Sequence, residues 1–144
     1  FLAYGVPVHD FRLWRLESNF RKAAFYHPSE SKLLERKKYL GGPQEHGSLQ
    51  CDFFVGEFRT TPLSKESVRQ AYQGRSIRSI NHMGRTPLKV LFFDEGVWPV
   101  DSPLGDWWDE WYLGGRATTT RNTVYFVFAS QEGYRFLGDL RCDD

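Results

Sequence analysis

The chain has 144 residues, a charged fraction of 26% and a net charge of +1. This length suits one domain that buries its own core, and the balanced charge argues against disorder driven by self-repulsion. No apolar run approaches the ~20 residues of a membrane-spanning helix, so we predict a single soluble globular domain over residues 1–144 with no membrane partner. The chain begins at Phe1, and its compartment is not predicted.

Two helices are predicted in the first forty residues. Asp10 is placed to cap a helix that runs to about Phe25, although residues 11–16 also have the look of a short strand. The apolar positions of this helix recur at helical spacing and are Leu13, Leu16, Phe20 and Ala23/Ala24. Ser29 or Ser31 then begins a basic helix that ends at Gly41-Gly42, with Leu33, Leu34 and Leu40 as its thin apolar side.

The clearest signals occur in the middle of the chain. Residues 48–59 read as a strand, and a helix follows Pro62. Ser64 is its predicted N-cap, Leu63 and Val68 occupy the two positions of a hydrophobic staple, and Gly74 stands where a left-handed residue ends the helix. Residues 75–87 are predicted to be irregular, and residues 88–93 form a buried strand.

The last third of the chain predicts one more helix and a strong strand. Asp101-Ser102-Pro103 is typical of a helix start, and a tryptophan-rich segment follows it. Residues 118–129 are rich in β-branched and aromatic side chains and predict a strand. Residues 134–137 have two interpretations: they pair with this strand as a hairpin, or they belong to a short final helix that Ser130 caps. Together the elements indicate an α+β fold, with an antiparallel or mixed sheet of three to five strands packed against two to four helices.

A basic stretch with short polar side chains gives the first functional hypothesis. Almost no acid lies between Arg69 and Lys89, and arginines beside serine and asparagine suit contacts to phosphate groups. The alternative is a solvated surface whose arginines pair with the acidic second half of the chain. The predicted nucleic-acid-binding residues are Arg69, Arg75, Arg78, His82, Arg85 and Lys89.

The aromatic fraction of 17% gives the second hypothesis. Each large ring buries roughly 150–250 Å², so we expect some rings at the surface or at an interface. Trp107, Trp111 and Tyr112 lie in a segment with more rings than one apolar stripe of a helix needs. We predict that these three residues bind a protein partner, with packing in the core as the open alternative.

Catalytic and metal-binding patterns are weaker. His9, His27, His46 and His82 suit acid–base chemistry near neutral pH only if they converge with other groups. In the segment 51–59, strand alternation places Asp52 on the face opposite Glu57 and Arg59 unless Gly56 makes a bulge. Neither Cys51 nor Cys142 has zinc-ligand spacing to a second ligand, so we predict no metal and no cofactor.

The function predicted from the sequence is a non-catalytic binding or adaptor domain. It would dock on a larger protein through an aromatic helix surface and contact an anionic ligand, most simply RNA, through its basic loop. The alternative is a small metal-independent ribonuclease or toxin-type enzyme that uses histidine acid–base chemistry.

Overall fold

The computed structural model describes residues 5–41, 52–80, 84–92 and 122–131. Within these ranges the chain forms two α-helices, one 3₁₀ turn and six strands. In chain order they are α1 (Gly5–Lys22), the 3₁₀ turn (Ala24–Tyr26), β1 (Lys32–Gly41), β2 (Asp52–Thr61), α2 (Lys65–Tyr72), β3 (Ser76–Arg78), β4 (Arg85–Pro87), β5 (Lys89–Phe92) and β6 (Thr123–Gln131).

A four-stranded antiparallel sheet organises these elements, with the order β1-β2-β6-β5. The short strands β3 and β4 pair separately as an antiparallel hairpin. The predicted α+β class is therefore confirmed. No helix among the described residues is long and apolar enough to cross a membrane.

The core lies between the helices and one face of the sheet. Helix α1 buries Leu13, Leu16 and Phe20, as its spacing predicts, and Ala23, directly after the helix, is buried with them. The sheet meets them with alternate residues of β2 and β6, because successive side chains of a strand point to opposite faces; these are Phe53, Val55, Tyr125, Val127 and Ala129. Helix α2 adds Val68 and Tyr72 to the same core.

The opposite face of the sheet is aromatic. Phe58 and Phe126 have ring centroids 4.5 Å apart, and the Phe126 and Phe128 rings stack at 5.5 Å. Gly56 makes this packing possible, since a Cβ at this position would lie 2.5 Å from the Phe126 ring. The registers of β2 with β1 and β6 run through Gly56 without a shift. Asp52 therefore lies on the face opposite Glu57 and Arg59, as strand alternation predicts.

The predicted basic helix from Ser29 or Ser31 to Gly41 is wrong, because this segment is β1. It pairs with β2 along its whole length, apart from one register shift between Leu33 and Glu35. Leu40 is buried opposite Phe53, whereas Leu33 and Leu34 remain partly exposed. The backbone hydrogen bonds to β2 outweigh a weak helical pattern, since tertiary pairing routinely overrides local propensity.

Two further boundaries differ from prediction. Helix α1 begins at Gly5, so Asp10 lies inside the helix and does not cap it. Residues 75–87 are not irregular throughout, because they contain strands β3 and β4. The predicted helix after Asp101 and the predicted hairpin at 134–137 lie outside the described residues.

Candidate nucleic-acid interface

The β3–β4 hairpin holds two of the predicted site residues, Arg78 and Arg85. Strand alternation buries Ile77 and Thr86 and leaves the two arginines exposed. Arg85 is held in place by Ser76, since its Nε donates to the Ser76 Oγ at 2.7 Å and its Nη2 donates to the Ser76 carbonyl at 2.7 Å. The two hydrogen bonds therefore orient the Arg85 side chain on the hairpin.

The end of α1 docks against this hairpin. Asn19 Nδ2 donates to the Arg78 carbonyl oxygen at 3.0 Å, which joins two segments 59 residues apart in the chain. After Lys22 the chain leaves the helix through the 3₁₀ turn, where Phe25 and Tyr26 have ring centroids 4.2 Å apart. Phe25 remains 76% exposed beside this charged surface.

Between the end of α1 and the hairpin lies an open cleft of about 350 Å³, which we call the Phe25 cleft. It is lined by Asn19, Lys22, Ala23, Phe25, Tyr26, Ser76, Ile77, Arg78 and Arg85. Three of these residues are cationic and none is acidic. Binding sites for single-stranded nucleic acid combine two components, exposed aromatic rings and nearby cations.

The cations of the Phe25 cleft differ from the cations of a neighbouring cleft in whether they form ion pairs with carboxylates. Within the described ranges, no carboxylate lies within ion-pairing distance of Lys22 or Arg78. By contrast, a second cleft of about 260 Å³ beside β1 has its cations paired, since Arg36 meets Glu57, and Arg21 and Lys38 meet Glu17. Of these two clefts in the described part of the chain, the Phe25 cleft is the one that offers cations to an anionic ligand without first breaking an ion pair.

The structure brings three of the predicted binding residues to this cleft. Arg78 and Arg85 line it, and Arg75 borders it with its guanidinium 5.2 Å from the centroid of the Tyr26 ring. Arg69 lies elsewhere, over the Phe92 ring at 4.9 Å and 3.7 Å from Glu66, and Lys89 is exposed at the start of β5. His82, Trp107, Trp111 and Tyr112 lie outside the described residues.

Sequence reasoning missed Asn19, Lys22, Phe25 and Tyr26. They lie about fifty residues before the basic stretch, and no local pattern connects the two segments. The sequence carries one weak signal for these residues. The aromatic pair Phe25-Tyr26 lies between Arg21-Lys22, at the end of the helix, and His27-Pro28.

His27 lies next to this region but belongs to a buried network around Glu57. Arg59 Nη1 donates to Glu57 Oε2 at 2.7 Å, and His27 Nε2 is 3.3 Å from the same oxygen. His27 Nδ1 is 2.6 Å from the Tyr72 hydroxyl, which is 3.1 Å from the Tyr125 hydroxyl. Arg36 Nε donates to the other oxygen, Glu57 Oε1, at 3.3 Å. The network joins the sheet to α2 and to the segment that follows α1.

The protonation of His27 follows from this environment. Burial, and next the positive charge of Arg59, lower the pKa of His27 to about 4, although the nearby Glu57 acts in the opposite direction. Burial also raises the pKa of the Tyr72 hydroxyl. At neutral pH the His27 ring is therefore uncharged, and its 3.3 Å contact with Glu57 is not an ion pair. Its Nδ1 forms a hydrogen bond with the Tyr72 hydroxyl.

This network has the properties of a structural joint. The His27 side chain is only 8% exposed, and both of its ring nitrogens have partners. Arg59 is equally occupied, because its Nε also donates to the Ser31 Oγ at 3.0 Å. A group that transfers protons to a ligand must be within hydrogen-bonding reach of it, and His27 does not line the Phe25 cleft.

The described part of the chain contains no group of three or more His, Cys, Asp or Glu side chains arranged to hold a metal ion. Comparison of the chain with protein-family models, with curated proteins and with solved structures finds no match.

Proposed function

We propose that this chain is a non-catalytic binding domain that holds single-stranded RNA in the Phe25 cleft. One observation carries the proposal: a ring that is 76% exposed lies beside Lys22 and Arg78, which have no carboxylate partner among the described residues. An exposed ring accepts any base on its face, and the cations contact the phosphates on either side. The cleft therefore suits an unpaired strand with little preference for sequence.

The expected energetics separate these two contributions. Stacking of one base on an aromatic side chain is worth roughly 1–3 kcal/mol and depends little on salt. Each phosphate neutralised on a single strand contributes about 0.7 to the slope of log K against log salt. Phe25 should therefore control affinity at every salt concentration, whereas Lys22 and Arg78 should control the salt dependence.

The direct test is the affinity of a labelled single-stranded RNA, measured by fluorescence anisotropy, for the wild type and for Phe25→Ala. We expect a loss of about tenfold or more, in line with the removal of one stacked base. The fold should be unaffected, because the Phe25 side chain is largely exposed.

Tyr39→Ala is the matched control. Tyr39 is also an exposed ring, at 37%, but it lies on β1 and does not line the Phe25 cleft. Equal losses in the two variants, or no RNA binding by the wild type at low salt, would contradict the proposal.

The ribonuclease alternative is favoured by one observation, the convergence of His27 with Glu57 and Arg59. The burial of His27 weighs against it. The same RNA, recovered after incubation and analysed on a denaturing gel, decides between the two functions. Shortened RNA that stays intact with His27→Gln would support the enzyme, and intact RNA with the wild type supports the binding domain.

Docking on a protein through Trp107, Trp111 and Tyr112 stays a separate prediction. The test is capture of a protein partner by the wild type and by a Trp107→Ala, Trp111→Ala double variant. Loss of capture with an unchanged circular dichroism spectrum supports a docking surface. Loss of the fold would show that these rings only pack in the core.

A further inference from the structure

A second aromatic cleft lies on the exposed side of α1. It has a volume of about 290 Å³ and is lined by Trp14, Glu17, Ser18, Arg21 and Lys22; we call it the Trp14 cleft. The Trp14 side chain is 60% exposed, although tryptophan is the largest apolar surface that a residue can bury. Trp14 does not line the Phe25 cleft, so a ligand bound in that cleft does not explain why the Trp14 ring is exposed.

Lys22 lines both clefts and so connects them. Trp14, Ser18 and Lys22 follow one another at intervals of four residues, which places them along one side of α1. With a rise of about 1.5 Å per residue, Trp14 and Lys22 are roughly 12 Å apart along the helix axis. The two exposed rings, Trp14 and Phe25, therefore lie on either side of one shared ammonium group.

The charges at the Trp14 cleft differ from those at the Phe25 cleft. Glu17 is the only acidic residue among the described residues that line it, and Arg21 Nη2 and Lys38 Nζ contact its two oxygens at 2.5 and 3.3 Å. Because the carboxylate is neutralised by two cations, it does not repel a phosphate strongly. The cleft then offers a ring for stacking and the Lys22 ammonium for one phosphate.

We propose that a single strand of nucleic acid continues from the Phe25 cleft past Lys22 and stacks a further base on Trp14. This inference rests on the proposed function and assigns the length of the strand that the protein binds. A stacked strand advances about 3.4 Å per nucleotide, so the distance from Trp14 to Lys22 corresponds to roughly four nucleotides. A duplex does not satisfy this site, because both rings need bases whose faces are accessible.

The test compares two lengths of single-stranded RNA, a trinucleotide and an oligonucleotide of about eight residues, with wild type, Trp14→Ala and Phe25→Ala. The trinucleotide fills only the Phe25 cleft. Trp14→Ala should therefore leave its affinity unchanged and weaken the longer strand by about tenfold, whereas Phe25→Ala should weaken both. Trp14→Phe keeps a ring and should retain most of the affinity for the longer strand.

The outcomes separate this inference from the function on which it rests. If Trp14→Ala binds both lengths like the wild type while Phe25→Ala loses both, the Trp14 subsite is wrong and the Phe25 cleft stands. Equal losses of both lengths in Trp14→Ala would also overturn the subsite. If the wild type binds neither length, the proposed function itself is wrong.

Discussion

At the scale of single residues, His27 shows how burial sets the chemistry of a side chain. Its position after the 3₁₀ turn brings it between Glu57 and Tyr72, with an exposed fraction of 8%. Desolvation disfavours the charged imidazolium there, so a residue that suits proton transfer in water becomes a neutral hydrogen-bonding link. Its identity as histidine is apparent from the sequence, whereas this role is not.

The pKa of His27 predicts how stability depends on pH. It is about 4 in the folded chain and 6.5 in the unfolded chain, so between these values the unfolded state binds more protons. The free energy of unfolding should therefore fall as the pH drops from about 6.5 towards 4, with a slope that does not exceed about 1.4 kcal/mol per pH unit from this one group.

Urea denaturation at a series of pH values measures this dependence. His27→Gln is the control, because a glutamine amide can donate to Glu57 and accept from Tyr72 without titrating. The difference between wild type and variant should change with pH in this window. A constant difference would show that His27 does not carry the shifted pKa.

At the scale of elements, α2 and β1 behave in opposite ways. The ends of α2 agree with prediction, because the Ser64 Oγ accepts from the Ser67 N–H at 3.2 Å and Gly74 has a φ of 68°. Both signals are local, since a cap or a left-handed residue acts within one turn of its own helix. Strand β1 depends on a partner more than ten residues away and was predicted to be a helix.

The N-cap gives a prediction at this scale. Ser64→Ala removes the acceptor for the Ser67 N–H and should lower the free energy of unfolding by about 1 kcal/mol. Ser64→Asp keeps an acceptor and should restore most of that loss. Chemical denaturation of the three proteins gives both values, and an alanine variant as stable as the wild type would show that the hydrogen bond contributes nothing.

At the scale of the whole molecule, the arrangement of charge matters more than its sum. The net charge is only +1, so the chain as a whole does not attract an anion strongly. The Phe25 cleft becomes cationic because α1 supplies Lys22, the hairpin supplies Arg78 and Arg85, and none of the described residues that line it is acidic. Binding there should accordingly depend on a few residues.

This arrangement predicts the salt dependence of RNA binding. The double variant Lys22→Ala, Arg78→Ala removes two phosphate contacts and should reduce the slope of log K against log salt by about 1.4. Lys32→Ala, which removes an exposed cation from the start of β1, should leave the slope unchanged. An unchanged slope in the double variant would mean that the strand does not follow the Phe25 cleft.

The sequence by itself determined the α+β class, the buried face of α1, the capped helix α2 and the strands β2, β5 and β6. These features depend on local signals: spacing of apolar residues, caps and continuous β-branched runs. It also indicated the arginines of the basic stretch. Tertiary structure decided that residues 32–41 are a strand, because pairing with β2 is non-local.

Tertiary structure alone also decided which groups meet. Asn19 and Arg78 are 59 residues apart in the chain, and His27 and Tyr72 are 45 apart, yet each pair forms a hydrogen bond. No local pattern encodes such contacts, because they arise only when the core of Leu16, Phe20 and Ile77 closes and brings their segments together. The aromatic ring of the candidate site and its cations come from different segments for this reason.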